Sequence, residues 1–156
     1  MSQRLEAHGV ALELPTGWDV EFAGVAPTAA QALGGEAFEP LVVHAGNFRL
    51  PADRGDFGSG AVEAMGAGGV FVSLLEYEPA SAETALFKPN RLPSAIGIDD
   101  VAPHTLQRTI AGQAGTQVFC AEAGRAFCLY VVIGSYRRRS TLVPVANEVI
   151  STISVS

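Results

Sequence analysis

The mainly apolar pattern Val10–Leu14 (V-A-L-E-L) runs into Pro15-Thr16-Gly17, after which Trp18-Asp19-Val20-Glu21-Phe22 alternates apolar with acidic positions. Two such runs about a Pro/Gly turn predict a β-hairpin, with Trp18, Val20 and Phe22 turned to a core and Asp19 and Glu21 to water. Leu41–Ala45 and Val70–Tyr77 are apolar runs of strand length, and Thr105–Ile110 and Thr116–Ala121 read as two further strands about a Gly112–Gly115 turn. Ala126–Ile133 (A-F-C-L-Y-V-V-I) is apolar at both alternating sets of positions, the pattern of a central strand covered on both faces. In the last segment Leu142, Ala146, Val149, Ile150 and Ile153 form one stripe at helical spacing. Thr141 is placed to cap that helix, and Pro144 then falls at its third position, where a missing N–H costs nothing.

The connections are rich in turn formers. Ala23–Pro40 has no clear period, although Thr28 is suited to cap a short helix through Leu33. Arg49–Gly60 is turn chemistry, and Ala61–Met65 forms one or two helical turns before Gly66 and Gly68-Gly69 end them. Pro79, Pro89, Pro93 and Pro103 make Glu78–Pro103 irregular, passing over the surface or along a sheet edge. The sum is an α+β chain, residues 1–156 as a single domain, folded as a sandwich with a mainly antiparallel sheet of about six or seven strands and the amphipathic C-terminal helix on one face.

The Pro15-x-Gly17-Trp18 turn entering a strand, the antiparallel strands that follow and the closing amphipathic helix together resemble the Mog1/PsbP-like fold. That grouping includes photosystem accessory subunits, a nuclear-transport GTPase-binding factor and secretion adaptors, so the resemblance implies a binding protein rather than a catalyst. The Gly/Pro-rich middle, residues 46–103, departs from it, and no functional residue is carried over.

Composition narrows the function. The 156 residues are 48% hydrophobic and 17% charged, which is the balance of a folded globule rather than a disordered chain. A net charge of −6 argues against a nucleic-acid backbone or an anionic membrane as partner, since both are held by clustered cations. The charge is uneven: residues 1–83 hold three basic and twelve acidic side chains, net −9, and residues 84–156 seven and four, net +3. That asymmetry favours attraction between strands or self-association into a homo-oligomer. No apolar stretch approaches the ~18 residues of a membrane span, and none of signal-peptide length follows the N-terminus. A cytoplasmic location is expected. One lysine against nine arginines reads as the codon bias of a GC-rich bacterial genome.

Most familiar chemistries are missing. Lys88 lacks the glycine frame of a P-loop and a second cation to activate it, and Asp56-Phe57-Gly58-Ser59-Gly60 misses the G-x-S-x-G spacing by having Phe57 and Ala61 where glycines are needed. Gly58–Gly60 reads instead as a helix opening capped by Asp56 or Ser59. His8, His44 and His104 are not at metal-ligand spacing, and Asp99-Asp100 and Glu76/Glu78 read as solvated faces. No motif calls for a cofactor or a metal. Cys120 and Cys128 are not a C-x-x-C pair; they read as buried thiols, with a cross-strand disulfide as the alternative if a loop centred on Gly124 sets them opposite each other. The sharpest local feature is Arg137-Arg138-Arg139 ahead of the last helix, cations that oppose the helix dipole and that an anion or acidic partner would relieve. An extended backbone there would send Arg138 to the side opposite Arg137 and Arg139. The expectation is a non-enzymatic binding or adaptor module holding a protein or acidic ligand through Arg137, Arg138 and Arg139. The alternative is an enzyme or small-molecule carrier with a pocket under residues 46–103, using Asp53, Asp56, His44 and His104.

Overall fold

The computed structural model describes residues 2–24, 38, 40–53 and 58–156. It is an α+β sandwich of two antiparallel sheets. The smaller has the order β1-β2-β8, with β1 Ser2–Ala7, β2 Val10–Pro15 and β8 Ser154–Val155. The larger has the order β3-β4-β5-β7-β6, from β3 Asp19–Gly24, β4 Leu41–Gly46, β5 Val70–Tyr77, β6 Ala114–Glu122 and β7 Arg125–Ile133. Among the described residues two α-helices complete it, α1 Ser59–Ala64 and α2 Arg139–Ile150.

β7 lies between β5 and β6, and Ala126–Ile133 is buried throughout, as its unbroken apolar pattern requires. Phe127, Leu129, Val131 and Ile133 pack in one cluster with Val10, Leu12 and Leu14 of β2 and with Leu142, Val143, Ala146, Val149 and Ile150 of α2. Cys128, Tyr130 and Val132, on the opposite face, pack with Ala61, Val62 and Met65 around α1 and with Leu50 and Leu106. The larger sheet is thus covered on both faces, once by the smaller sheet and α2 and once by α1 and its flanking loops. Where Val10 and Leu12 meet Val43, Ala45, Val72 and Leu74, the gap left is an apolar void of about 10 Å³, no more than a single water would need.

Several connections differ from the expected ones. Pro15-Thr16-Gly17 closes no hairpin: Trp18 N–H bonds the Pro15 carbonyl at 3.3 Å, but β3 pairs with β4, and the turn carries the chain from one sheet to the other. The partner of β2 is β1, joined to it by a two-residue turn with His8 and Gly9 at φ 52° and 79°, the type I′ geometry that matches strand twist. Ala123 and Gly124, at φ 53° and 75°, make the same turn between β6 and β7. Thr105–Ile110 is not a strand. Pro103–Thr105 is a 3₁₀ turn held by Thr105 Oγ1 on the Ala102 carbonyl at 2.8 Å, and Leu106 drops into the core. β6 accordingly runs through Gly115, where the nearest backbone neighbour, the Val131 carbonyl, leaves no room for a Cβ.

α1 is not capped by a side chain. Gly58 stands at its N-terminus at φ 75°, and a Cβ there would run into the Phe71 ring, so both conformation and space demand glycine. α2 starts at Arg139 rather than after Thr141, because the 3₁₀ turn Tyr136–Arg138 runs straight into it; Pro144 therefore sits inside the helix and removes one backbone bond. The helix expected after Thr28 lies outside the described residues, as does Asp56.

Candidate functional site

β6 is an edge strand of the larger sheet, and its outer side is only partly covered. At one end Ala102 exchanges both backbone bonds with Gly115, at 3.0 and 3.1 Å. At the other, the Asn90 carbonyl accepts from Ala121 N–H at 2.8 Å, and Asn90 Nδ2 donates to the Phe119 carbonyl at 3.3 Å. Residues of one strand alternate the side to which their backbone groups point. Gly115 and Ala121 point outward, and so does Gln117 between them, whose N–H and C=O have no partner among the described residues.

This open stretch lies in a groove of about 580 Å³ lined by Leu86, Pro89, Asn90, Arg91, Pro93, Asp100 and Thr116–Phe119. Leu86 is 55% exposed, the most exposed of the large apolar side chains among the described residues. The wall is firm: Phe87 packs edge-on to Phe119 at 5.5 Å and tilted against Tyr77 at 5.1 Å. Arg91 reaches Glu122 at 3.1 Å, and Glu122 also accepts from Leu92 N–H at 3.2 Å. The Arg91 hydrogen bond holds the Glu122 carboxyl below the usual carboxylate range against the opposing effect of burial, with the Leu92 N–H and the Arg91 charge helping. A second groove of about 440 Å³ adjoins it, between Arg91, Leu92, Glu122 and Ile153–Val155. Walls that mix Leu86, Pro89 and Pro93 with Asn90, Arg91 and Asp100, above the unsatisfied Gln117 N–H and C=O, suit a segment of polypeptide.

The arginine triplet is divided. Arg139 donates from Nη1 to the Tyr136 carbonyl at 3.0 Å and lies over the Tyr136 ring at 4.2 Å, so it is occupied within the chain. Arg137 and Arg138 are exposed and form no ion pair among the described residues. The backbone there is a 3₁₀ turn rather than extended, so the three side chains fan round an axis instead of alternating.

The candidate acid–base groups are not gathered. Asp53 and His104 are exposed, His44 is buried on β4 with its ring 5.4 Å from Phe71, and none of them lines either groove. Among the described residues, no three His, Cys, Asp or Glu side chains are placed to hold a metal ion, and no helix is long and apolar enough to cross a membrane. Glu78 is exposed, but Glu76 is a correction to the expected solvated pair. It shares the inner face of β5 with Val70, Val72 and Leu74, and it is buried in a bidentate ion pair with Arg125, Nε to Oε2 at 2.7 Å and Nη2 to Oε1 at 3.0 Å.

One polar row was not anticipated. His44, Ser73 and Tyr130 are directly opposite one another across β4, β5 and β7, on the face covered by α1. Gln107 N–H donates to the Tyr130 hydroxyl at 2.8 Å, and burial pushes that phenol above its ordinary pKa. The Ser73 hydroxyl is fully buried and has no partner among the described residues. A buried hydroxyl without a partner carries its desolvation cost uncompensated, so Ser73→Ala is expected to raise stability by about 1 kcal/mol in urea unfolding. A loss of similar size would mean that the hydroxyl is bonded in solution.

No protein-family model, curated protein or solved structure matches the chain.

Proposed function

We propose that the protein is a cytoplasmic, non-enzymatic binding module that holds a segment of a partner protein in the groove along β6, in keeping with the resemblance to Mog1/PsbP-like proteins. The observation that carries the reading is the Gln117 backbone. An edge N–H and C=O open between two bridged positions, under the exposed Leu86, give an extended segment two main-chain hydrogen bonds and an apolar contact. The scatter of Asp53, His44 and His104, none of which lines either groove, supports this reading over the alternative of an enzyme or small-molecule carrier. Arg137 and Arg138 stand as a separate contact for an acidic partner.

The test is selection of binding peptides from a random library on the purified protein, with NMR mapping of the best binder. Shifts are expected at the Gln117 and Phe119 amides. Leu86→Asp should weaken binding at least about tenfold, while Arg137→Ser/Arg138→Ser leaves it unchanged. Loss in the arginine variant alone would move the contact to the start of α2, and the absence of any binder would overturn the reading.

A further inference from the structure

The smaller sheet also ends in an open edge, and this one is self-complementary. β2 turns the backbone groups of Gly9 and Glu13 toward the C-terminal segment: Ser156 N–H donates to the Gly9 carbonyl at 2.8 Å, and Thr152 Oγ1 lies 2.9 Å from Glu13 N. By alternation Val10, Leu12 and Leu14 bond inward to Ala7, Leu5 and Gln3 of β1. Ser2, Arg4 and Glu6 are left with N–H and C=O groups pointing away from the sheet, and among the described residues nothing pairs with them. The Arg4 and Glu6 side chains are exposed and make no ion pair or hydrogen bond among the described residues.

We propose that β1 pairs antiparallel with β1 of a second copy of this chain about a two-fold axis through Leu5. Only outward-pointing residues can exchange backbone bonds, so the hydrogen-bonded pairs must come from Ser2, Arg4 and Glu6. Pairing centred on Arg4 sets that arginine against its own copy, and pairing centred on Glu6 does the same for the carboxylate; like charges directly opposite are unfavourable. Centred on Leu5, Arg4 of each chain faces Glu6 of the other, twice by symmetry. The outer face then reads Glu13, Arg4, Glu6 and Ala11 across the two chains, a cation between two anions, given that Arg4 already lies opposite Glu13 and Glu6 opposite Ala11. On the inner face Leu5 meets its own copy as a non-hydrogen-bonded pair, the arrangement that brings side chains closest. Leu5 is half-buried against the core cluster of its own chain, so the contact extends that core. The interface is isologous and closes on two copies. It uses neither the β6 groove nor Arg137 and Arg138, and it stands or falls apart from the proposed function.

Sedimentation equilibrium on the full chain tests it. The wild type is expected to dimerise. Arg4→Glu or Glu6→Arg, each converting both attractive pairs to repulsive ones, should weaken the dimer by about tenfold or more, and the double swap Arg4→Glu/Glu6→Arg should restore it. Leu5→Cys should form a disulfide-linked dimer on mild oxidation; Gln3→Cys should do so only when mixed with Ala7→Cys. A wild type that stays monomeric at all concentrations, a dimer indifferent to the swaps, or Gln3→Cys linking to itself would overturn the pairing. Unchanged circular dichroism of each variant separates loss of pairing from loss of fold.

Discussion

Arg125→Ala is expected to lower the free energy of unfolding by about 3–5 kcal/mol, the cost of leaving one partner of a buried ion pair alone. The Arg125 and Glu76 side chains are 19% and 5% exposed, so little water reaches the carboxylate once the guanidinium is gone. Among the described residues only Leu41 N–H, at 3.2 Å from Oε1, remains to it. Arg125 does more than neutralise Glu76. Its Nη1 donates to the His8 carbonyl at 2.8 Å and to the Ser156 carbonyl at 3.2 Å, and its guanidinium lies 5.2 Å from the Phe127 ring centre. One side chain thus joins β5 and β7 of the larger sheet to the β1–β2 turn and the end of β8. Against a total of about 5–15 kcal/mol for a domain, its loss is enough to unfold a marginal protein. Urea unfolding at unchanged slope measures it, and hydrogen exchange should show the Ser156 amide opening first. Arg125→Met/Glu76→Leu should recover most of the loss, because a buried pair replaced by apolar groups of similar volume sheds both desolvation costs. A loss under about 1 kcal/mol for Arg125→Ala, the range of an exposed pair, would mean that water enters the joint freely.

That joint also shows where reading the chain succeeds and where it stops. β7 and α2 were legible because their signals are local: an apolar run without polar interruption has to be covered on both sides, and a stripe at helical spacing has to lie on something. β5 was legible in the same way, to the residue. Arg125 was not. It is the first residue of β7 and sits directly after a turn, a position that in sequence reads as solvent, and its partner on β5 is adjacent only because β5 and β7 pair. Glu76 carried a weak signal, standing two positions after Leu74 and four after Val72 on the inner face of β5; strict alternation would have turned it inward. The false hairpin at Pro15-Thr16-Gly17 has a related cause. Alternation shows that two strands exist but not which sheet each joins, and β1, with Arg4 and Glu6 interrupting it, was too polar to be seen as the true partner of β2. Of the grooves nothing was legible beyond the irregularity of residues 78–103, since the opening at Gln117 depends on Asn90 and Ala102 reaching the edge from distant positions.

Alkaline pH is expected to unfold the protein through its two thiols. The two-residue turn at Ala123-Gly124 sets Cys120 opposite Phe127 and Cys128 opposite Phe119, so the cysteines are one register position apart. Their side chains lie on opposite faces of the sheet, Cys120 in the cluster with β2 and α2 and Cys128 in the cluster with α1. Both are free, and the disulfide alternative falls with that register. Burial pushes each thiol from 9.0 up to about 12, with Glu122 adding to the effect on Cys120 and Cys120 to that on Cys128. In the unfolded chain each thiol loses its proton near its ordinary value, whereas in the folded chain it keeps the proton for about three pH units more. Between those limits the folded state binds more protons, so stability present in full below pH 9 falls as pH rises toward 12. The slope is about 1.4 kcal/mol per pH unit for each thiol, and the two together reach the size of a whole domain's stability within the window. Tyr77 and Tyr130, whose phenols burial also raises, act in the same direction. The check is a series of urea melts from pH 8 to 11 on the wild type and on Cys120→Ala/Cys128→Ala: the double variant, less stable at pH 8 because of its cavities, should lose stability with the shallower slope. Native thiols should also resist iodoacetamide at pH 8 and react once urea opens the sheet. Equal slopes, or rapid alkylation of the native protein, would show that the thiols are reached by water and that the β6–β7 hairpin is looser than its register implies.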